Sequence, residues 1–497
     1  MLADVPEGFY HFVSFALPAL AVRLLDMTPL NSVTAIWLPA GIFATTLGVM
    51  ALGQALVGPA GSALALLLLV ACPDSASYGL RQGFLSFHWM LETAPGSLYA
   101  LPCACAALCL LVPWCREADT RSLIGSSLLL AAVFLLRAHV FIWLAGPWAA
   151  TALVAWRRCG HALKLAFLVA GAVVAAVGMM AVGRAEIART GLLAYVSQFI
   201  SLLHLYQGPT GYDGLYPRLV ELLGSAGALA PGLVLAWLAM GGLPMLTFLI
   251  GAAVLWRQRR LEALDLLPGA TLLWAGLLML FAPTPFQGDF TEFRQRGFVL
   301  VVVLLLVWNA RFLVLLAPGW TGRRAATRTA ALASCAMLPL TAAVVKDWKA
   351  PRMKWGATFV ATPVAPEVIA AAAWLRHAAG PASAFTIDRI DDSQVLFDLP
   401  TALVGMSGVP AWLARGGIQI MAGGTHAAVA RQRITILADV AAAPDRATAF
   451  APLRAARVDF YIASGMQSLR WDPDHATAAF HSGALAIYRT SQAGDVP

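Results

Sequence analysis

Residues 292–297 read EFRQRG and run straight into residues 298–317, FVLVVVLLLVWNARFLVLLA. A helix rising about 1.5 Å per residue needs about 20 mostly apolar residues to cross the hydrocarbon core of a bilayer, and 298–317 meets that length. The same reading applied along the chain gives ten candidate spans, approximately 32–52, 58–73, 96–114, 122–137, 139–156, 162–183, 231–256, 264–282, 298–317 and 329–346. The composition agrees with a multi-spanning protein. Of 497 residues 60% are hydrophobic and only 12% charged, with a mean hydropathy of +0.74. Soluble proteins carry about a quarter charged residues, so this chain lacks the polar side chains to cover a globule, and most of its surface faces lipid. Disordered, collagen-like and disulfide-scaffold chains are excluded. The net charge of +8 sits in short connections between apolar runs, where the positive-inside bias accounts for it and argues against a nucleic-acid partner.

The run from Ser122 to Trp156 would be about 50 Å long as one helix, too long for a single crossing. Arg137-Ala138-His139 interrupts its middle, so two short helices meeting at one membrane face are expected there. Basic clusters at Arg157, Arg158 and Lys164, at Arg257, Arg259 and Arg260, and at Arg323, Arg324 and Arg328 fall on one side under the ten-span count. That side is the cytoplasm. The connections 73–95, 184–230 and 283–297 fall outside, as does the tail. The segment Phe9–Leu25 fits an amphipathic helix lying in the outer interface, the alternative being a first span with a snorkelling Arg23. Asp4 and Glu7 stand where a secretory signal peptide would carry basic residues.

Cut near Trp348, the chain holds 36 charges in its first 348 residues and 24 in the last 149, which marks residues 349–497 as a soluble domain after a membrane domain, 1–348. The tail reads as α/β. A helix over Pro366–Ala379 starts with Pro in its first turn. Short β-prone runs follow at Ala384–Ile387, Val458–Ile462 and Leu485–Tyr488. All seven cysteines lie before the tail, in or beside apolar runs, and Cys103 and Cys105 read as packing thiols rather than a metal pair. The glycine pair in Met421-Ala422-Gly423-Gly424-Thr425-His426 lacks the spacing of a nucleotide loop and reads as a turn. No Asp-rich metal spacing is evident on the rim, so no cofactor is expected, and a divalent metal is the open alternative.

Ionisable groups at a membrane are costly, so their positions are informative. The external connections hold Asp74, Arg81, His88 and Glu92, then Tyr206, Asp213, Tyr216 and Arg218, then Asp289, Glu292, Arg294 and Arg296. Such a rim suits an enzyme that takes a lipid-phosphate donor from the bilayer: arginines grip phosphate oxygens while a carboxylate accepts the proton of an attacking hydroxyl. Asp74, Glu92 and Asp289 are the catalytic candidates, each also readable as a solvated loop carboxylate. Arg81, Arg294 and Arg296 are the phosphate candidates, the last two equally readable as headgroup anchors. His11, Arg137, His139 and Glu292 complete the outer-face set. His88 fits an interfacial aromatic belt.

The layout resembles bacterial membrane glycosyltransferases of the GT-C fold, a superfamily that includes oligosaccharyltransferases, protein O-mannosyltransferases and the aminoarabinose transferase of lipid A. The resemblance is carried by Val5-Pro6-Glu7-Gly8-Phe9-Tyr10-His11 with its apolar helix, by a span ending near Leu52-Gly53, by Leu136-Arg137-Ala138-His139 between two short helices, and by Glu292-Phe293-Arg294-Gln295-Arg296 opening a late span. In the tail it rests on Glu367–His377, Leu403–Leu413 and Arg457–Ile462. It implies an α-helical polytopic membrane protein with about ten spans and a C-terminal soluble α/β domain in the periplasm. The implied reaction is transfer of a sugar, with inversion, from a polyprenyl-phosphate donor to an envelope glycan or lipid acceptor at the outer face of a bacterial inner membrane. The same resemblance implies an acidic residue on an external loop ahead of the proline-led segment. Met1 lies only five residues before Pro6 and Asp4 is the sole acidic residue upstream, so either the reading frame extends upstream or the usual base is missing. The competing readings are a lipid or glycan transporter or flippase, and a non-catalytic assembly protein.

Overall fold

The computed structural model describes residues 12–71, 87, 91, 96–201, 215–284, 291–316, 364–388, 398–422, 424–465 and 468–491. The chain divides into two compact units: one is helical, formed by His11–Phe15 with Leu38–Phe359, and the other joins Ala16–Trp37 to Val360–Pro497. The expected cut at Trp348 did not include the second unit's share of the N-terminal region.

In chain order the helices up to residue 316 are α1 (Ala16–Leu24), α2 (Pro29–Val57), α3 (Pro59–Ala71), α4 (Ser97–Glu117), α5 (Thr120–Leu136), α6 (Ala138–Ala155), α7 (His161–Val182), α8 (Arg184–Thr190), α9 (Leu192–Ser201), α10 (Leu215–Gly227), α11 (Leu229–Arg257), α12 (Leu267–Phe281), α13 (Thr291–Arg294) and α14 (Phe298–Leu316). Nine of the ten expected runs appear as helices; the tenth, 329–346, lies outside the described residues. Seven of these helices, α2, α4, α6, α7, α11, α12 with the turn before it, and α14 with α13, are long and apolar enough to cross a membrane. The runs at 58–73 and 122–137 are helices of 13 and 17 residues, the second of them short as the sequence reading of 122–156 expected. Their ends have local causes. Gly58, at φ +79°, turns the chain before Pro59, and Asp119 caps α5 by accepting from the N–H groups of Arg121 and Ser122. Arg137 is extended (φ −159°, ψ 97°) and separates α5 from α6, as the charged interruption in the sequence suggested. The helix in Phe9–Leu25 is α1, nine residues following a short turn at Phe12–Phe15 and too short to cross. Its leucines Leu17, Leu20 and Leu24 are exposed, as an interfacial helix requires.

Close backbone approach packs α2 on α3. A Cβ on Gly53 would meet Gly61 O at 2.7 Å, and one on Gly61 would meet Gly53 O at 2.6 Å, so only glycine fits at this crossing. The most buried helix is α14, whose side chains from Phe298 to Phe312 are nearly all interior. By contrast no residue of α7 is buried.

An ionic network that the sequence reading gave no weight lies at the C-terminal end of α14. Arg311 is 1% exposed and forks onto Asp265, with Nε to Oδ1 at 2.7 Å and Nη2 to Oδ2 at 3.1 Å. Its Nη1 donates to Leu56 O at 3.1 Å. Glu262 bridges Arg311 (3.3 Å) and Arg116 (3.2 Å), and Arg116 in turn donates to Leu56 O at 2.9 Å. Partial burial raises the Glu262 carboxyl, but the two guanidiniums outweigh it and hold the group below its ordinary value.

In the second unit lie α15 (Pro366–Ala378), β1 (Phe385–Ile387), α16 (Leu399–Ser407), α17 (Gly416–Ala422), α18 (Gly424–Ala442), α19 (Arg446–Ala455), β2 (Phe460–Ala463), β3 (Phe480–Ser482) and β4 (Leu485–Arg489). The sheet order is β1-β2-β4-β3. The β1–β2 pair is parallel, with Thr386 opposite Tyr461, and the other two pairs are antiparallel. A parallel pair needs a crossover, and α16 to α19 supply it. The expected strands all appear. The sequence reading missed β3, which has three residues, two of them polar. Within this unit Asp26 accepts from Arg376 at 2.8 Å, and Ser32 Oγ donates to Pro18 O at 2.8 Å.

Candidate functional site

One end of the helical unit gathers the N-terminal ends of α4, α6 and α14 with the connections beside α8, α9 and α12. The joint between α6 and α14 is tight. Trp143, fully buried, donates from Nε1 to Phe293 O at 2.7 Å, and a Cβ on Gly297 would meet the Trp143 ring at 2.2 Å. Trp143 lies one helical turn beyond His139, so the Arg137–His139 break and the 292–297 segment share this end.

Arg137 is 3% exposed and donates from Nε to His139 Nε2 at 3.1 Å; His139 is 1% exposed. Across the joint, Arg294 is wholly buried. Its Nε donates to Ala282 O at 2.6 Å, its Nη1 to Tyr195 O at 3.1 Å and Gln198 Oε1 at 3.4 Å, and its guanidinium lies 4.5 Å from the Tyr195 ring centre. Only Nη2 has no partner among the described residues. Arg296 points elsewhere, half-buried beside Glu292 at 3.8 Å. The two arginines therefore do not converge: Arg294 ties α9 and the end of α12 to α13, and Arg296 pairs with a carboxylate one turn away.

Glu186, a residue that the sequence reading did not single out, accepts from Thr284 Oγ1 at 2.5 Å and Thr284 N at 3.4 Å. Together with Tyr195, whose OH donates to Phe281 O at 3.0 Å, it fixes the chain after α12. A carboxylate three residues after a span's last glycine, Gly183, was the available signal, hidden because 184–230 read as a loop. Tyr216 is buried and Arg218 exposed. Asp74, Arg81, His88, Glu92, Asp289, His11, Tyr206 and Asp213 lie outside the described residues. Among the described residues no three His, Cys, Asp or Glu side chains gather in a way that could hold a metal ion.

The arrangement thus offers buried guanidiniums, an imidazole and helix N-termini at one end of an apolar bundle, features that favour an anion. No known protein family's profile matches the chain, and no curated protein matches it. Among solved structures it is similar to the oligosaccharyltransferase AglB of Archaeoglobus fulgidus in complex with an inhibitory peptide and a dolichol-phosphate, with TM-score 0.47 and 11% identity over 99% of this chain and 67% of that one. It is also similar to an Archaeoglobus fulgidus oligosaccharyltransferase in complex with Zn and sulfate, with TM-score 0.43 and 13% identity over 92% of this chain and 60% of that one.

Proposed function

We propose that this chain is a GT-C-like membrane glycosyltransferase. In this reading it moves a sugar from a polyprenyl-phosphate donor to an envelope glycan or lipid acceptor at the outer face of a bacterial inner membrane, with residues 349–497 as a periplasmic domain. The observation that carries the reading is the meeting of the Arg137–His139 break with the Glu292–Arg296 segment, joined by the Trp143–Phe293 hydrogen bond. Both motifs carried the sequence resemblance, and they are about 150 residues apart in the chain. The roles follow from residue chemistry. Asp74, Glu92 or Asp289 accepts the proton of the acceptor hydroxyl as it attacks the anomeric carbon, and the cations at this end compensate the charge growing on the departing phosphate. Arg81 and Arg296 are the cations assigned to the phosphate in this scheme, while Arg294, with Nε and Nη1 on backbone carbonyls, mainly positions the chain between α9, α12 and α13.

The test is transfer by the purified full chain, in nanodiscs, of radiolabelled sugar from undecaprenyl-phosphate-linked donors to an envelope lipid extract. Labelled product that disappears with each of Asp74→Asn, Glu92→Gln or Asp289→Asn in turn identifies the base. No product with any donor, together with unchanged envelope glycans in a deletion strain, overturns the reading. A transporter is the second reading, favoured by the buried Arg311–Asp265 pair within the spans, a placement common in ion and proton pathways. Movement of intact donor across proteoliposomes without sugar release would establish it.

A further inference from the structure

The helix α11 ends in a cationic turn. Arg260 N donates to Leu255 O and Arg259 N to Trp256 O, both at 2.9 Å, the pair of bonds that closes a helix over a left-handed residue. That residue is Arg259, at φ +54°. Glycine is the usual occupant of such a position, because a Cβ there crowds the following carbonyl. The chain thus carries a cation where the backbone favours glycine, a strain that points to a use for the side chain. Arg257, Arg259 and Arg260 are all exposed. The carboxylates that follow in the chain, Glu262 and Asp265, are engaged by Arg116 and Arg311. An apolar stripe leads up to this turn. Leu243, Leu246, Ile250 and Val254 succeed one another at three- and four-residue steps, which places them on one face of α11, and all four are exposed. Arg257, three residues further, continues that face. From Leu243 to Val254 the stripe is about 16 Å long at 1.5 Å per residue, close to half of the roughly 30 Å hydrocarbon core. Trp256, 70% exposed, stands where the stripe gives way to the turn, as a tryptophan at headgroup level does.

We infer that this face of α11 binds an anionic phospholipid, with its phosphate on Arg257, Arg259 and Arg260 and an acyl chain along Leu243–Val254. Charge and length together select the ligand. One leaflet's depth of apolar surface beneath a cluster of arginines matches a phosphate carried on an acyl chain, whereas a nucleic acid or an acidic protein would engage the cations and leave the stripe unused. A phosphatidylcholine headgroup brings its own cation towards the three guanidiniums; a phosphatidylglycerol headgroup brings none and keeps its net negative charge. The turn lies at the end of the helical unit that holds the Arg311–Asp265 pair, away from the Trp143–Phe293 joint, so the assignment stands apart from the transferase reading.

The test offers the purified full chain, in detergent micelles, equal concentrations of dioleoyl phosphatidylglycerol and dioleoyl phosphatidylcholine, and counts the lipids retained by native mass spectrometry. The unsubstituted chain should retain phosphatidylglycerol in preference. Arg259→Gly is the primary variant, because it removes one cation while relieving the left-handed backbone. It should lower the preference about fivefold, the worth of one cation at an anionic lipid surface, with the unfolding temperature unchanged or raised. A residue kept for structure alone would not separate the two readouts in this way. Arg257→Gln with Arg260→Gln should remove most of the remaining preference. Equal retention of the two lipids by the unsubstituted chain overturns the site, as does a preference that survives both Arg259→Gly and the double substitution. Displacement of bound phosphatidylglycerol by millimolar inorganic phosphate would assign the turn to a free anion, and displacement by a short oligonucleotide would assign it to a nucleic acid; either result overturns the lipid assignment.

Discussion

Replacing Asp265 by Asn tests the network at the far end of α14. The substitution keeps the shape of the side chain and removes the charge facing a guanidinium that is 1% exposed. Arg311 loses the bidentate ion pair at 2.7 and 3.1 Å but keeps Leu56 O at 3.1 Å and Glu262 at 3.3 Å. Removing one partner of a buried pair costs roughly 3–5 kcal/mol. Because Glu262 remains, half-exposed and partly screened, the lower end applies, about 3 kcal/mol. Unfolding of a protein this size is commonly irreversible, so the appropriate readout is the inactivation or unfolding half-life of the detergent-solubilised chain at fixed temperature. If the pair breaks before the barrier, 3 kcal/mol shortens that half-life by roughly 150-fold, at tenfold per 1.36 kcal/mol. The paired substitution Asp265→Leu with Arg311→Met should recover most of the loss, since an apolar replacement of both partners is often neutral or stabilising. A half-life for Asp265→Asn within twofold of the unsubstituted chain would refute the account of a desolvated, mutually dependent pair.

Arg294→Lys removes the donors to Ala282 O and Tyr195 O, and is expected to lower stability by about 2–3 kcal/mol, read as a drop in unfolding temperature. Gly297→Ala places a methyl where the Trp143 ring stands, so the Trp143–Phe293 bond should break at a cost of about 1–3 kcal/mol, with a shifted tryptophan emission as the spectroscopic sign. Glu262 has a folded pKa below its unfolded one, so its stabilisation is complete above the ordinary glutamate value of about 4.3 and is lost as pH falls below it. Glu262→Gln should therefore flatten the acid limb of a stability profile while leaving the profile above pH 6 parallel to that of the unsubstituted chain.

The spans were legible because twenty apolar residues in a row have few other solutions, and the break at Arg137 was legible because a charge interrupts an over-long run. The connection 184–230 was not. It holds α8, α9 and α10, helices of 7, 10 and 13 residues whose mixed composition gives no unbroken apolar signal. Arg311 was passed over because its partner, Asp265, lies 46 residues earlier on a different element, and pairing of that kind is set by packing, not by local pattern. The site was half visible. Arg294 stood out as a guanidinium at the opening of a span, but its commitment to two backbone carbonyls depends on where α9 and α12 end.

The helix α7, with 22 residues and not one buried, turns most of its surface to the solvent around it. Exchanges among valine, leucine and isoleucine on its exposed face disturb little of the packed bundle, whereas a single lysine or aspartate at its centre would cost about 2.5–3.5 kcal/mol of insertion. Sequence drift along this stretch is therefore free to record the thickness and fluidity of the host bilayer rather than the chemistry performed at the other helices.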